Sequence, residues 1–359
     1  MKSTLWLLGS LILLLGAYLS LWPVAIDPVA WQPPAAPGYT GVHASNTKLA
    51  SLPKIALDDE VGPEHIVAGA DGKLYAGMAS GNIVRFNADG SAQQIFSNTG
   101  GRPLGLAFAA DGQLIVADAI KGLLSVALDG AVGVLATKVQ GAPILFPNAV
   151  VVARNGKIYF TDSSMRFAPA QWGGTLGAAT LDIFEQSSTG RVLEYSPENK
   201  MVRIVARGLS LANGITLSAD ETALFVSESG KYRVWRIATS GNALDVSRPS
   251  PQAQVLLDNL PGYPDNLTRG INGKIWLGLG GPRNDLDAMA HMPFMRRLML
   301  RIPRVLWPTP KPYGHVFAFT EDGKVLVDLQ DPSGNSPVTT GITEAGGRMY
   351  LHSIDGVHL

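Results

Sequence analysis

Four side chains that carry an oxygen atom stand eight residues before a turn of the chain. These side chains, each with the turn residue that follows it, are Glu64 with Gly72, Asn148 with Gly156, Asn213 with Glu221 and Asp265 with Gly273. If the segments between them are equivalent strands of a repeating fold, the four side chains occupy one tier and converge on one point. Convergent oxygen atoms are typical of a metal site, so the spacing predicts one.

Each of these residues also has an ordinary structural explanation. A carboxylate such as Glu64 commonly lies in a surface loop, and Asn148 or Asn213 can bond its own backbone in a turn. Asp265 and Asn266 follow a proline and fit an Asx turn. Four such coincidences at one register are much less probable than one shared site, so we favour the metal site.

The strands that must position these side chains lie in a repeated sequence pattern. From about residue 60 the chain repeats an apolar strand, a Gly or Asp turn, a second apolar strand and a polar turn. The copies lie at 71–90, 111–130, 155–164, 220–237, 272–281 and 346–356. Short alternating strands with almost no helical periodicity are typical of a β-propeller. The sequence therefore predicts an all-β, six-bladed propeller over residues 50–359.

The N-terminus carries a long apolar run. Residues 5–22 contain no charge, a length near the minimum for a membrane span and above that of most signal-peptide cores. No clear small-x-small cleavage site follows, so a single-pass anchor is favoured over a cleaved signal, which would give a secreted protein. Lys2 on the short N-terminal side predicts a propeller on the non-cytoplasmic side, periplasmic or lumenal. We assign 1–25 to this anchor or signal and 26–49 to a linker.

Composition argues against several classes of function. Lysine plus arginine, 29 residues, balance aspartate plus glutamate, 29 residues, so no net charge attracts nucleic acid. Cysteine is absent, which removes disulfides and thiolate nucleophiles. The histidines show no HExxH-type spacing, which disfavours zinc, and no GxSxG motif supports a serine hydrolase.

Two longer segments, at about 165–190 and 283–312, interrupt the repeat. Long loops on a rigid scaffold commonly shape ligand sites. The second segment mixes arginines with Met, Leu and aromatic residues and fits an amphipathic helix. Its arginines are Arg296, Arg297, Arg301 and Arg304. Two interpretations stay open for this helix, which are contact with a membrane surface and packing over the end of the propeller.

Three blocks of sequence resemble a known family. They are FPNAVVVARNGKIYFTDSS at 146–164, GRVLEYSPENKMVRIVARGLSLANGITLSADETALFVSES at 190–229 and YGHVFAFTEDGKVLVDLQDPSG at 313–334. Together they resemble the strictosidine synthase-like group, which includes adipocyte plasma membrane-associated protein, and beyond it the gluconolactonase and paraoxonase propellers. The likeness runs from about Gly62 to the C-terminus, and the N-terminal anchor is similar to that of the membrane-bound members.

The resemblance implies a six-bladed propeller with calcium in its central channel. The residues of this chain that match the ligands of the family are Glu64, Asn148, Asn213, Asp265 and Asn266. Two carboxylates and three amide oxygens are hard ligands, which suit calcium or another hard divalent cation better than zinc.

Two departures from the family limit the expected chemistry. In paraoxonase-like members a histidine pair is the proposed base, and one of the pair lies in a segment resembling RPLGLAF, where this chain has Leu104. Strictosidine synthase has a catalytic glutamate in its sixth blade, where this chain has Thr340. We therefore expect neither the histidine mechanism nor strictosidine synthase activity.

The favoured function is a calcium-dependent hydrolase of esters or lactones. Calcium polarises a carbonyl and stabilises the oxyanion that forms when water attacks. Asp265 is the candidate base, because gluconolactonase-like relatives use the matching aspartate. Calcium beside Asp265 keeps it ionised and weakens it as a base, so we expect modest turnover.

The alternative function is a non-enzymatic, calcium-stabilised propeller that binds a partner or lipid. For the favoured hydrolase, the expected partners are a small-molecule ester or lactone and, through the N-terminal helix, a membrane. An apolar pocket walled by the two insertions would favour the enzyme. A plugged channel mouth would favour the scaffold.

Overall fold

The computed structural model describes residues 2–57, 59–303, 307, 311–336, 338–354 and 356–358. Most strands beyond residue 60 pair antiparallel with their neighbour in sequence. Tight turns join them, and Gly72, Gly112 and Gly156 have φ angles of 76°, 85° and 81° in these turns. This left-handed conformation carries no steric penalty for glycine, which explains why the residue recurs at the turns of the repeat.

Sheets of four or five strands form the blades. Blade one contains β1 (Ile66–Ala68), β2 (Leu74–Gly77), β3 (Asn82–Phe86) and β4 (Gln94–Asn98). Blade two contains β5 (Pro103–Phe108), β6 (Leu114–Asp118), β7 (Gly122–Val126) and β8 (Val132–Ala136). A small hairpin follows, β9 (Lys138–Val139) with β10 (Ala142–Pro143).

The remaining large sheets continue this order. Blade three contains β11 (Pro147–Val152), β12 (Ile158–Asp162), β13 (Gly190–Ser196) and β14 (Met201–Leu209). Blade four contains β15 (Ala212–Leu217), β16 (Ala223–Glu228), β17 (Arg233–Ala238) and β19 (Ala253–Leu257), while β18 (Leu244–Asp245) pairs with β14 in parallel. Blade five contains β20 (Gly262–Arg269), β21 (Ile275–Pro282), β22 (Gly314–Phe319) and β23 (Val325–Asp331).

The prediction of six blades is wrong, because the described residues form five. The sixth copy of the repeat lies in a sheet of only two strands, β24 (Thr339–Ala345) and β25 (Arg348–Ser353). The segment beside this sheet contains Pro53, which has no amide hydrogen to donate to a ladder. It contributes one isolated bridge, between Ala56 and His358. A repeated hairpin in the sequence therefore does not ensure a complete blade.

The core lies between neighbouring blades. Between blades three and four, for example, Val192, Ile215, Val226 and Trp235 pack into one apolar cluster. Every residue of β15 and β16 is buried. Strands covered on both faces read as continuous apolar runs rather than as alternating patterns, because both faces of the sheet contact another blade.

The described residues contain three α-helices. α1 (Lys2–Leu21) is exposed along its length and is long and apolar enough at Ser3–Leu21 to cross a membrane, a test that a signal sequence also passes. α2 (Gly174–Glu185) lies in the first insertion and α3 (Pro293–Arg301) in the second. The sequence predicted a helix in the second insertion, where α3 lies, but did not predict α2.

The two insertions pack together with the segment that follows α1. The Val29 N–H donates to the Glu185 carbonyl at 2.8 Å. Arg296 is buried, and its Nη1 donates to the Phe184 carbonyl at 2.8 Å. Arg301 Nε donates to the Trp22 carbonyl at 2.7 Å, which joins the end of α1 to α3. We call α2, α3 and residues 24–31 the canopy.

Two arginines of α3 thus bind backbone carbonyls of the protein, which favours packing of this helix over the propeller end. The apolar side chains of Met292, Phe294 and Met295 remain exposed. Arg304 belongs to the predicted amphipathic segment. It lies outside the described residues.

Candidate functional site

The five predicted ligands lie at or just before the innermost strands of four blades. Glu64 precedes β1, Asn148 lies in β11, Asn213 lies in β15, and Asp265 and Asn266 lie in β20. Three of these strands carry a β-bulge at the ligand position, between residues 147 and 150, 212 and 215, and 264 and 267. A bulge leaves a residue outside the ladder and changes the direction of its side chain. It therefore explains how these polar groups leave the regular alternation.

Hydroxyl groups on the second strand of a blade connect one ligand segment to the next. Thr161 Oγ1 accepts a hydrogen bond of 3.0 Å from the N–H of the residue after Asn148 and donates one of 2.6 Å to the Asn213 carbonyl. Ser227 Oγ accepts one of 2.7 Å from the N–H of the residue after Asn213 and donates one of 2.6 Å to the Asp265 carbonyl. The same device thus sets the spacing of three ligand segments.

Glu64 is held by side chains from β24 and β20. Thr340 Oγ1 donates to the Glu64 carbonyl at 2.7 Å. Asn266 Nδ2 donates both to that carbonyl and to Glu64 Oε1, each at 3.0 Å. Thr340, which matches the position of the catalytic glutamate of strictosidine synthase, therefore positions Glu64. Asn266 turns its nitrogen toward Glu64, so it orients the carboxylate here, and its role as a ligand stays a prediction.

Four oxygen atoms of this tier are buried and have no hydrogen-bond partner among the described residues. They are Glu64 Oε2, Asn148 Oδ1, Asn213 Oδ1 and Asp265 Oδ1. A buried acceptor without a donor costs about 1–3 kcal/mol. Four such atoms, one from each predicted ligand blade, fit a bound cation whose charge replaces the missing donors. Hard carboxylate and amide oxygens suit calcium.

The electrostatics of the two carboxyl groups support the same interpretation. Burial raises the pKa of Glu64 to about 7, although Arg102 and the hydrogen bond from Asn266 oppose the shift. Burial and then the charge of Glu64 raise the pKa of Asp265 well above its ordinary value. Two facing carboxylates cannot both ionise easily without a balancing charge. A divalent cation supplies that charge.

A buried ion pair supports the loop that carries Asn148. Asp162 Oδ1 accepts hydrogen bonds from the N–H groups of Leu145 at 3.2 Å and Phe146 at 2.8 Å. Arg191 Nε donates to Asp162 Oδ2 at 3.0 Å, and both side chains are almost fully buried. The pair therefore fixes the residues just ahead of Asn148.

The canopy covers the channel mouth with apolar side chains. Leu104, Phe146 and Leu211 from the propeller form one apolar cluster with side chains of the canopy and with Phe167, which precedes α2. The canopy residues of this cluster include Ile26, Ala178, Leu181 and Phe184. A cavity of about 880 Å³ lies elsewhere, beside β25 of the two-stranded sheet, and is lined by Lys54 and Arg348 among others. Both insertions thus meet above the ligand tier, but they pack into a cover rather than line an open pocket.

The canopy also contains a buried carboxyl group. Asp182 on α2 was not predicted as a functional residue, yet it is fully buried. Its neighbours Ala178 and Glu185 on the same buried face show the helical spacing that could have revealed α2.

Asp182 is a buried acid. Neither of its carboxylate oxygens makes a hydrogen bond of ordinary geometry within the described part of the chain. Burial raises its pKa to about 7, against the opposing interaction with Ser164. The negative charges of Glu185 and Glu228 add to the rise, and the Leu211 backbone opposes it. Helix α2 therefore contains a carboxyl group that loses its proton, and so becomes charged, near neutral pH.

This raised pKa predicts a pH-dependent effect of the substitution Asp182→Asn. The folded protein keeps a proton that the unfolded chain releases above about pH 4, so wild-type stability falls as pH rises from there to about 7. The variant has no charge to bury. We expect it to be more stable than wild type at pH 8, by up to about 4 kcal/mol, and nearly equal at pH 4.

Urea unfolding of the full-length protein in mild detergent at both pH values measures this difference. Asp111→Asn, at an exposed hairpin turn, is the matched control and should show no pH-dependent gain. An Asp182→Asn variant that is equally destabilised at both pH values would contradict the prediction.

Two family models match the chain. One is described as "Strictosidine synthase-like, N-terminal" and covers residues 41–86, and the other as "SMP-30/Gluconolactonase/LRE-like region" and covers residues 65–284. Adipocyte plasma membrane-associated protein of Salmo salar is 32% identical over 98% of this chain and 87% of its own length. Protein strictosidine synthase-like 6 of Arabidopsis thaliana is 32% identical over 83% of this chain and 77% of its own.

Solved structures show the same fold. A gluconolactonase from Xanthomonas campestris superimposes with a TM-score of 0.59 at 18% identity, covering 94% of this chain and 97% of its own. A calcium-binding protein, regucalcin, from Agrobacterium tumefaciens gives a TM-score of 0.53 at 15% identity, covering 81% of this chain and 84% of its own. At these identities the likeness concerns the fold. By sequence and by fold, the chain belongs to the strictosidine synthase-like family within the SMP-30/gluconolactonase group of β-propellers.

Proposed function

We propose that this protein is a calcium-dependent hydrolase of esters or lactones. The observation that carries the proposal is the set of four buried, unpartnered oxygens contributed by four blades. Membership of the SMP-30/gluconolactonase group and the fold shared with a gluconolactonase and with regucalcin agree with it.

Glu64, Asn148, Asn213 and Asp265 would hold the ion. Bound calcium would polarise the substrate carbonyl and stabilise the charge that develops on its oxygen. Asp265 accepts the proton of the attacking water. Burial and the charge of Glu64 raise the pKa of Asp265 and so oppose the ionised form that this role requires, while the Asn213 side chain and a bound cation would favour it. Glu64 would add negative charge beside the ion, and its hydrogen bonds with Thr340 and Asn266 hold it in place.

The canopy favours an uncharged, apolar substrate. Its underside and the propeller end present leucine and phenylalanine side chains, including Leu104 and Phe146. Such a surface excludes water and strengthens electrostatic interactions inside the site. Entry of a substrate requires displacement of part of the canopy, which agrees with modest turnover.

Chelation tests the proposal directly. Full-length protein in mild detergent should hydrolyse aryl esters or aliphatic lactones, and removal of divalent cations with EGTA should lower the rate at least tenfold. Calcium added in excess should restore it, and zinc should not, because the ligand oxygens are hard. Turnover that survives complete chelation would refute a calcium-dependent mechanism.

The packed canopy is also the observation that favours the alternative, a calcium-stabilised propeller that binds a partner or lipid. In that case calcium should raise Tm, while no ester or lactone is turned over with the ion present. This pair of results would decide for the scaffold.

We further propose that the N-terminal helix anchors the protein with its propeller on the non-cytoplasmic side. The helix has the length and apolarity of a span, and relatives are named as plasma membrane-associated. In sealed vesicles prepared with the cytoplasmic face outside, the propeller should resist added protease until detergent is present. Digestion without detergent would place it on the cytoplasmic side.

A further inference from the structure

Three side chains that commonly bind metals meet at the two outer strands of blade five. His43 Nδ1 and His315 Nε2 each lie 2.8 Å from the same oxygen, Asp328 Oδ2. The three candidate ligand atoms lie within 4.8 Å of one another. Their side chains are 13%, 1% and 8% exposed in that order. The cluster is therefore compact and largely closed to solvent.

Three different elements bring this cluster together. His43 ends a short 3-10 helix, Gly41–His43, in the segment between the canopy and the propeller. His315 lies on β22 and Asp328 on β23 of blade five. The Leu49 N–H donates to the Gln330 carbonyl at 3.0 Å, so the same segment continues along β23. The site thus joins the N-terminal segment to a blade.

Neighbouring groups fix the orientation of these side chains. Asp328 Oδ1 accepts hydrogen bonds from Asn46 Nδ2, at 3.0 Å, and from Gln330 Nε2. The ring of His43 stands edge-on to Phe317, with 4.8 Å between the ring centroids. Metal-ligating carboxylates and imidazoles are characteristically held by such outer contacts.

We propose that His43, His315 and Asp328 form a second metal site, which binds a divalent transition-metal ion of the zinc type. Two imidazole nitrogens and one carboxylate oxygen suit zinc rather than calcium. Bonds of about 2.0–2.2 Å in a tetrahedral site separate neighbouring ligand atoms by roughly 3.4 Å. The nitrogen–oxygen pairs at 2.8 Å need to widen by only about half an ångström to reach this distance.

Each imidazole would bind the ion as the neutral tautomer whose lone pair lies on the nitrogen that faces Asp328, which is Nδ1 of His43 and Nε2 of His315. The ring proton is then on the other nitrogen of each ring, and the ion takes the place of the imidazole–carboxylate hydrogen bonds. Three protein ligands leave the fourth position to water. No nucleophile or base beyond this water is placed by the cluster, so its role is to fasten the N-terminal segment to blade five.

Zinc titration of the full-length protein in detergent tests this site. Excess calcium should be present throughout, so that hard-cation sites are filled. We expect one equivalent of zinc to bind and to raise Tm, and His43→Ala to weaken binding at least tenfold. His291→Ala, which removes an exposed histidine elsewhere, should bind zinc like wild type.

Cobalt provides a measurement that does not depend on a variant. Wild-type protein with one equivalent of cobalt should show the intense visible absorption of a four-coordinate ion, and zinc should displace it. Absence of saturable zinc binding would overturn the proposal, as would equal binding by wild type and a folded His43→Ala. A six-coordinate cobalt spectrum would also overturn it.

Discussion

Asp265→Asn is expected to lower kcat/KM for ester or lactone hydrolysis by about 10²–10⁴-fold even in excess calcium, while excess calcium still raises Tm. The amide keeps an oxygen at the position of the buried, unpartnered Oδ1. It cannot accept a proton from water. It also removes the repulsion between Asp265 and Glu64 that accompanies their raised pKa values.

Glu64→Gln is the informative comparison for this substitution. Both substitutions remove one negative charge from the proposed ion and should weaken calcium binding. Glu64 has no role in proton transfer, so Glu64→Gln should lose activity only to the extent that it loses calcium. Excess calcium should then recover much of the rate of Glu64→Gln but none of the rate of Asp265→Asn. Steady-state kinetics across a calcium series, with Tm measured in parallel, separate the two roles.

Asp129→Asn is the matched control, because it makes the same change at an exposed hairpin turn of blade two. Its kinetics should equal those of wild type. Wild-type turnover in Asp265→Asn would remove Asp265 as the base. Loss of the calcium effect on Tm together with activity would reduce Asp265 to a ligand only.

Arg191→Ala is expected to lower the free energy of unfolding by about 3–5 kcal/mol, because it leaves Asp162 buried without its ionic partner. Asp162 has no exposed surface, and burial already raises its pKa while Arg191 opposes the shift. The same substitution should weaken calcium binding, since Asp162 holds the backbone just before Asn148.

Urea unfolding with and without calcium measures both effects of Arg191→Ala. Asp162 becomes protonated, and so uncharged, as pH falls, so the loss of stability should shrink toward acidic pH. Arg248→Ala is the control, because that arginine is 83% exposed and lies 3.8 Å from Asp245. Exposed pairs contribute at most about 1 kcal/mol. Equal losses for the two variants would contradict the structural role of the buried pair.

The sequence predicted the candidate ligands from their equivalent positions in the repeat. Glu64, Asn148, Asn213 and Asp265 each stand at a fixed distance from a turn, and a repeating fold converts equal chain distance into equal height in the propeller. The structure adds that bulges and the hydroxyls of Thr161 and Ser227 create this tier. Thr161 and Ser227 have no distinctive spacing in the sequence, so their role in holding the ligand segments was not predicted.

The number of blades was not predictable in the same way. The repeat at 346–356 has the composition of the others, and its two strands form as expected. Whether further strands join them depends on residues from the opposite end of the chain, such as those around Ala56, and on whether their amides can enter a ladder. Sequence similarity between repeats does not report on that closure.

The sequence by itself determined the β-propeller class, the apolar N-terminal helix and the family, and it predicted a candidate set of oxygen ligands, because each depends on residues close together in the chain. Only the tertiary structure decided that the insertions cover the channel, that Asp182 is buried and that His43 meets His315 and Asp328. These features join segments separated by up to hundreds of residues. Their contacts depend on how blades and loops pack, which no local spacing encodes.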